Sequence, residues 1–560
     1  MSIEIRGADI VVRSLERAGC ANVFTLSGNH IMPLFDAVLG SKLRLLHVRH
    51  EAAAVHMADA WGRLTGQCGI ALVSGGAGHA NALGALATAA AADSPLVLLS
   101  GHAGLNEVGR GAFQEMRQAD MAAPVTKAAW VAQQPAELGH DIARAMRTAL
   151  SGRPGPVHIS LPFDLLQARV PPSPDLVPGR EAFGAEPKPF AAAAADATLR
   201  HLFAARRPLI LGGPLLCQRD GPALLGELGA ATGVPSLGME SPRGLADPRL
   251  GAFAQVLGRA DLIVLLGKAL DFTLRFGDRP HVAADCRFIG IDPDPDQLAR
   301  LSRSKGDQVL LQVSADPVAA AALLRTRCGT PAAKSAWAEE VTRALSVRPQ
   351  AATFAAASPG KLHPVALCRA LAPYLERNRD AILICDGGEI GQWPQAALSP
   401  PRRLINGVAG AIGAAIPFAL AARLAEPKAP VLAVMGDGSF GFHMAEFDTA
   451  VRYDLPFIAV VGNDATWNAE HQIQLRDYGA ERTHACGLLP SRYDLVAVAL
   501  GGHGELVTVA DALPAALERA LAAGKPACLN VMIERVPAPT LQALAPLQAL
   551  HATASDKVPS

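Results

Sequence analysis

Short runs of Val, Ile and Leu recur along the whole chain with no polar alternation, and stretches with helical spacing separate them. A strand apolar on both faces must be covered on both faces, which is the condition of a parallel sheet held between layers of helices. Twelve segments read this way. They are Asn22–Leu26, Leu43–Val48, Ile70–Val73, Leu96–Ser100 and Val157–Leu161, then Pro208–Gly212, Leu262–Gly267 and Arg287–Ile291, and finally Ala381–Cys385, Val431–Met435, Phe457–Val461 and Ala527–Ile533. Two stretches interrupt the rhythm: the proline-rich Pro171–Pro189, and Cys328–Pro364 with its Ala/Ser/Pro-rich middle. The expected fold class is therefore α/β, with three doubly wound parallel-sheet domains at residues 1–170, 190–328 and 362–536, and a tail at 537–560.

Composition narrows the function. Lys+Arg and Asp+Glu both number 51, so no basic surface points to nucleic acid or an anionic membrane. The longest uncharged stretch, Leu64–Ala92, is broken by Gly75, Gly76, Gly78, His79 and Asn81 and reads as a loop plus a small-residue helix, not a membrane span. The nine cysteines form no CxxC pair, and the N-terminus MSIEIRGAD lacks an apolar signal core. A cytoplasmic protein acting on a small molecule is expected.

In doubly wound sheets ligands sit beyond the carboxyl ends of the strands, so chemistry is sought just after each run. Strand Val431–Met435 ends in Gly436-Asp437-Gly438, and strand Phe457–Val461 ends in Gly462-Asn463-Asp464. Twenty-four residues separate Gly438 from Asn463, enough for a helical crossover that returns Asn463 to the same sheet edge as Asp437. Two oxygen side chains between glycines suit Mg²⁺ bridging a diphosphate. On the ordinary reading GDG is a tight turn and Asn463 a cap; the spacing and both flanking strands favour the metal site.

GDG-x24-N after a strand resembles the cofactor motif of the thiamine diphosphate (ThDP)-dependent decarboxylases and carboligases, with features similar to acetolactate synthases and to 2-hydroxyacyl-CoA lyases. The resemblance implies that Asp437 and Asn463 hold Mg²⁺ by side chain and Ala465 by its carbonyl, and that Gly436, Gly438, Ser439 and Trp467 line the cofactor. VRHEAAAVHMADAWGRLTG resembles the family's RHE segment, which makes Glu51 the carboxyl group that works beside the pyrimidine N1′. Asn406-GVAGAIGAAIP resembles the cradle of the bent cofactor, with Ile412 beneath its rings and the Gly410 carbonyl accepting from the 4′-amino group. Gly388 and Glu389 stand where relatives contact the diphosphate, and Gly75 where the family has a glycine turn beside the pyrimidine.

The resemblance also supplies substrate-pocket candidates: Asn29, His30, His79 and the Gln114 of Phe113-Gln114-Glu115, which is similar to the FQE of acetolactate synthases. It implies active sites built between subunits of a homodimer or homotetramer. The central block resembles a nucleotide-type domain, in which FAD, ADP or CoA remain open, as does the absence of any ligand. The activity implied is a ThDP- and Mg²⁺-dependent C–C lyase or carboligase for small 2-keto acids. A 2-hydroxyacyl-CoA lyase or oxalyl-CoA decarboxylase-like enzyme is the alternative, and an inactive regulatory homologue a third.

Overall fold

The computed structural model describes residues 4–328, 335–348, 358–400 and 402–539. Its described residues contain three large sheets, each entirely parallel, and one two-stranded ribbon. Strand β1 (Ile5–Arg6) opens the chain. The first large sheet uses β2 (Asn22–Thr25), β3 (Arg44–His47), β4 (Gly69–Val73), β5 (Leu96–His102), β6 (Ala128–Val131) and β7 (Pro156–Pro162), in the order β3-β2-β4-β5-β7-β6. Strand β8 (Arg169–Val170) then pairs antiparallel with β1. The central sheet uses β9 (Pro208–Gly212), β10 (Ser236–Gly238), β11 (Leu262–Leu266), β12 (Arg287–Ile291) and β13 (Val309–Val313), in the order β10-β9-β11-β12-β13. The third uses β14 (Ile382–Cys385), β15 (Arg402–Ile405), β16 (Val431–Gly436), β17 (Ile458–Asn463), β18 (His503–Val507) and β19 (Ala527–Met532), in the order β15-β14-β16-β17-β19-β18.

The first and third sheets thus share one winding: two strands run outward one way, then the chain crosses back over the first and continues on its other side. The crossing creates a switch point between β2 and β4 in one sheet and between β14 and β16 in the other, where the loops diverge and leave a crevice. The central sheet shows why its strands lack alternation. Leu209, Leu211, Ile263 and Leu265 enter one buried cluster, whereas the intervening Ile210, Val264 and Leu266 enter another on the opposite face. Both faces are core, so both parities are apolar.

By their contacts the three sheets fall into two compact units. One comprises Met1–Lys188 with Leu420–Pro427 and Asp448–Asp454; the other holds Pro189–Ala419, Lys428–Phe447 and Leu455–Ser560, and so both the central and third sheets. A buried ion pair joins those two sheets inside the second unit, Arg403 to Glu240 at 2.9 Å. The stretch from Cys328 to Pro364 is also less irregular than its composition suggests. Ser335 caps a helix over Ala336–Ser346, whose Trp337 and Val341 are buried in the central core. Likewise Leu176 and Phe183, from the proline-rich stretch, are buried in the first core. Among the described residues no helix is long and apolar enough to cross a membrane.

Candidate active site

The switch point of the third sheet opens into a cleft walled by Gly387, Gly388 and Glu389 after β14, by Gly436–Ser439 at the end of β16, and by Asp464, Thr466 and Trp467 after β17. Ile412 also faces it. Asp437 is the first residue of a short helix, Asp437–His443, which begins earlier than the GDG turn alone suggests. The Asp437 side chain is buried, and its Oδ2 has no hydrogen-bond partner. Burial raises its pKa to about 6, against the opposing pull of backbone N–H groups including those of Thr466 and Ala465. Asp464 is also buried and is pushed up to about 7, first by desolvation and then by the charge of Asp437. Two adjacent carboxylates away from water, one oxygen unpaired, form a place that a divalent cation fits. Among the described residues no group of three or more His, Cys, Asp or Glu could hold a metal, so any further ligands here must be other oxygens.

The other residues expected to hold a metal lie immediately around Asp437. Asn463 is fully buried; its Nδ2 donates to the Ser491 carbonyl and to Asn530 Oδ1, both at 3.1 Å, while its Oδ1 accepts from the Ala465 N–H, a group that also reaches the Asp437 carboxylate. Asn463 closes β17 opposite Met532 of β19, and its amide is used to tie that sheet end to the Ser491 loop. The Ala465 carbonyl accepts from Leu488 N–H at 2.8 Å, and Ala465 itself is bent into positive φ, +56°. The residues that reach the cleft are the next in each case, Asp464 and Thr466.

The rest of the wall is held by a residue that sequence reasoning passed over. Asp386, at the end of β14, is buried; it accepts from Gly387 N–H at 2.6 Å through Oδ1 and from Gly413 and Ala415 N–H at 2.9 and 3.0 Å through Oδ2. It therefore anchors the 406–414 loop, with Gly410 at φ +68° and Ile412, against the cleft. Burial holds its pKa up at about 6. Its place in the strand-end loop was visible; its two backbone partners far along the chain, Gly413 and Ala415, were not. Glu389 is turned partly to other work: its carboxylate accepts from Ala538 N–H and faces Arg243 at 3.7 Å. Gly438 is required because the Trp467 ring lies against it, 2.4 Å from where a Cβ would stand.

The first unit presents the second half of the expected chemistry at its own switch point. Glu51 begins the helix Glu51–Thr65 just beyond β3, and the preceding His50 caps that helix. Glu51 Oε2 accepts from Asn81 Nδ2 at 3.0 Å, and Gly78 lies close enough that a Cβ there would meet Oε1 at 3.3 Å. Gly75 and Gly76 form the turn after β4. A Cβ on Gly75 would come within 2.8 Å of the Gly101 carbonyl. His30 is buried beyond β2, 3.4 Å from Ser74 Oγ and stacked on Phe113, while Asn29 and Gln114 are exposed. His79, expected in the substrate pocket, has no exposure: its Nδ1 lies 2.9 Å from Ser100 Oγ of β5, and its ring packs 4.5 Å from that of His158 of β7.

In the central sheet, the strand ends at Gly213 and Asp292 pack against the protein's own backbone. A Cβ on Gly213 would strike the Gly267 carbonyl at 1.8 Å, so the loops after β9 and β11 touch at the switch point. Asp292 Oδ1 accepts from Asp294 N–H at 2.9 Å within its own turn.

Comparison with known proteins settles the family. Residues 5–121 match the thiamine pyrophosphate enzyme N-terminal TPP binding domain, and residues 386–531 match the corresponding C-terminal TPP binding domain. Over 536 residues the chain is 33% identical to the acetolactate synthase large subunit IlvG of Mycobacterium tuberculosis, covering 94% of this chain and 95% of that one. This chain belongs to the thiamine diphosphate enzyme family. It is also 30% identical to human 2-hydroxyacyl-CoA lyase 2 over 551 residues, 90% of this chain and 85% of the relative, and 26% identical to Arabidopsis thaliana 2-hydroxyacyl-CoA lyase over 564 residues, 95% and 96%. The two family matches fall on the two sheets that share a winding, and the C-terminal match begins at Asp386. The chain is a ThDP-dependent enzyme of the lyase and carboligase kind.

Proposed function

We propose that this ThDP enzyme is Mg²⁺-dependent and makes or breaks a C–C bond next to the carbonyl of a small 2-keto acid. The observation that carries the reading is the pair Asp437 and Asp464, buried side by side in a glycine-walled cleft with one oxygen unpartnered. Asp437 and Asp464 would hold the cation; Gly388, Gly436, Gly438 and Ser439 would leave room for a diphosphate; Ile412 would support the organic rings. When bound, ThDP supplies a carbon nucleophile and then an electron sink for the bond that breaks. The chain's own part is positional and protonic. Glu51 exchanges a proton with the bound pyrimidine, Asn81 orients it, and the buried walls exclude water.

The likeness to 2-hydroxyacyl-CoA lyases over at least 85% of their length supports a second reading, cleavage of a 2-hydroxyacyl-CoA to an aldehyde and formyl-CoA. The two are separated by assaying the Mg²⁺-ThDP holoenzyme on pyruvate, with CO₂ and acetolactate as readouts, and on a 2-hydroxyacyl-CoA, with aldehyde as readout. Turnover of pyruvate alone supports the first reading; turnover of the thioester alone replaces it. The proposal includes a cytoplasmic homodimer or homotetramer in which Glu51 of one subunit serves the cleft of another. Mixing Glu51→Gln with Asp437→Ala protein tests this. Hybrid oligomers regain activity if the halves come from different subunits and stay silent if each subunit works alone.

A further inference from the structure

The Gly75–Gly76 turn is held by a side chain outside every motif considered above. Gln118 is fully buried, and its Oε1 accepts from Gly76 N–H at 2.8 Å. Its Nε2 donates to the Gly101 carbonyl at 3.1 Å and to Ser160 Oγ at 3.0 Å. Gly76 needs that restraint, since its backbone stands at φ +59°, ψ −114°, and a Cβ there would collide with Gln114 at 2.6 Å. The turn leads directly into the helix Ala77–Ala91, and that helix carries both contacts to Glu51, Gly78 against Oε1 and Asn81 on Oε2.

Behind Gln118 the bonding continues. Ser160 Oγ lies 3.0 Å from His158 Nε2, whose Nδ1 is 3.2 Å from the Leu98 carbonyl; this arrangement suits a neutral ring that donates from Nδ1 and accepts at Nε2. The His158 ring packs on His79, itself bonded to Ser100. Burial keeps both rings uncharged, His79 at about 4 and His158 well below the usual histidine value. Apart from His79 Nε2, which has no hydrogen-bond partner among the described residues, the groups of this network bond one another, and a buried bonded network is rigid, which is what a strained turn requires of its support.

We propose that Gln118 is a positioning residue for the activating carboxylate, setting Glu51 through the Gly76 turn and the first turns of the Ala77–Ala91 helix. The proposal rests on the reading of Glu51 given above. In Gln118→Met the side chain keeps its length and loses its bonds. Two effects are expected. Amide exchange of the peptide carrying Gly76 accelerates about tenfold or more in the protein without cofactor, and kcat of the holoenzyme falls about tenfold while KM for substrate stays within about threefold. Gln118→Glu should restore most of both, because a carboxyl group buried there takes up a proton and offers the same acceptor to Gly76 and one of the two donors. Ser160→Ala, which removes one partner of the Gln118 amide, should give the same signature at about threefold and serves if the Met variant fails to fold. Unchanged Gly76 exchange in a folded variant overturns the proposal, and so does faster exchange with unchanged kcat. Full turnover by Glu51→Gln would instead refute the reading of Glu51 and leave the Gly76 exchange result standing by itself.

Discussion

Asn81 donates its side-chain amide to Glu51 Oε2 at 3.0 Å, so the carboxylate at the head of one helix is aimed by a residue within the next. A half-exposed glutamate has many rotamers, and one charge-assisted bond removes most of them.

Glu51→Gln should lower turnover about 100-fold or more, the range of a lost general acid–base group. Asn81→Leu leaves the carboxylate in place but unaimed, and should cost about tenfold in kcat. Steady-state kinetics with saturating ThDP and Mg²⁺ checks both, and wild-type rates in Glu51→Gln would refute its role.

Asp437, Asp464 and Asn463 should separate cleanly. Asp437→Ala and Asp464→Ala should fold and lose Mg²⁺-dependent ThDP binding, measured by titration calorimetry. Asn463→Ala leaves the buried Asn530 Oδ1 without its donor and the Ser491 carbonyl with Asn530 Nδ2 alone, so it should destabilise the protein by about 1–3 kcal/mol in denaturant unfolding. If Asp464→Ala binds ThDP as tightly as wild type while Asn463→Ala does not, the original ligand set is restored.

The neighbours Asn463 and Asp464 show where the sequence was legible and where it was not. The spacing from Gly438 brings the chain back to the correct sheet edge, but choosing between Asn463 and Asp464 requires knowing which side of the strand end faces the cleft. Every strand found from apolar runs was real, and the strands overlooked in the large sheets were all edges: β6, β10, β13, β15 and β18. An edge strand is paired and covered less fully. Arg402-Arg403 in β15 and Glu505 in β18 break the apolar run that marks an interior strand. Likewise the helix Ala336–Ser346 lay hidden in composition that resembled a linker, and only the burial of Trp337 and Val341 reveals it. Gln118 had no sequence signal, because its significance is its three partners, at Gly76, Gly101 and Ser160.

Acid should loosen the first unit through its buried histidines. A histidine held to a lower pKa in the folded chain binds fewer protons there than when unfolded. Stability is therefore greatest above about pH 6.5 and is lost as pH falls toward the folded value. With His79 near 4 the loss at pH 5 is on the order of 2 kcal/mol. Thermal unfolding of the cofactor-free protein should show a falling midpoint between pH 6.5 and 4.5, and the double variant His79→Gln/His158→Gln should show a flatter profile. An identical slope in that variant would place the acid sensitivity elsewhere.

Gly438→Ala tests the cleft wall without touching a charge. The new methyl would stand 2.4 Å from the Trp467 ring, with two further ring atoms within 2.9 Å, so the indole must move. Gly438 and Trp467 both line the cleft, and the ring also meets Phe442 edge-on at 6.4 Å, so displacement narrows the cleft without opening the core. The expected outcome is a folded protein with at least about tenfold weaker ThDP binding and a shifted tryptophan emission. Adding Trp467→Leu removes the obstacle, and the double variant should recover most of the affinity. If affinity is lost in Gly438→Ala and not regained in the double variant, the glycine serves the cofactor by its backbone and not by the room it leaves for the ring.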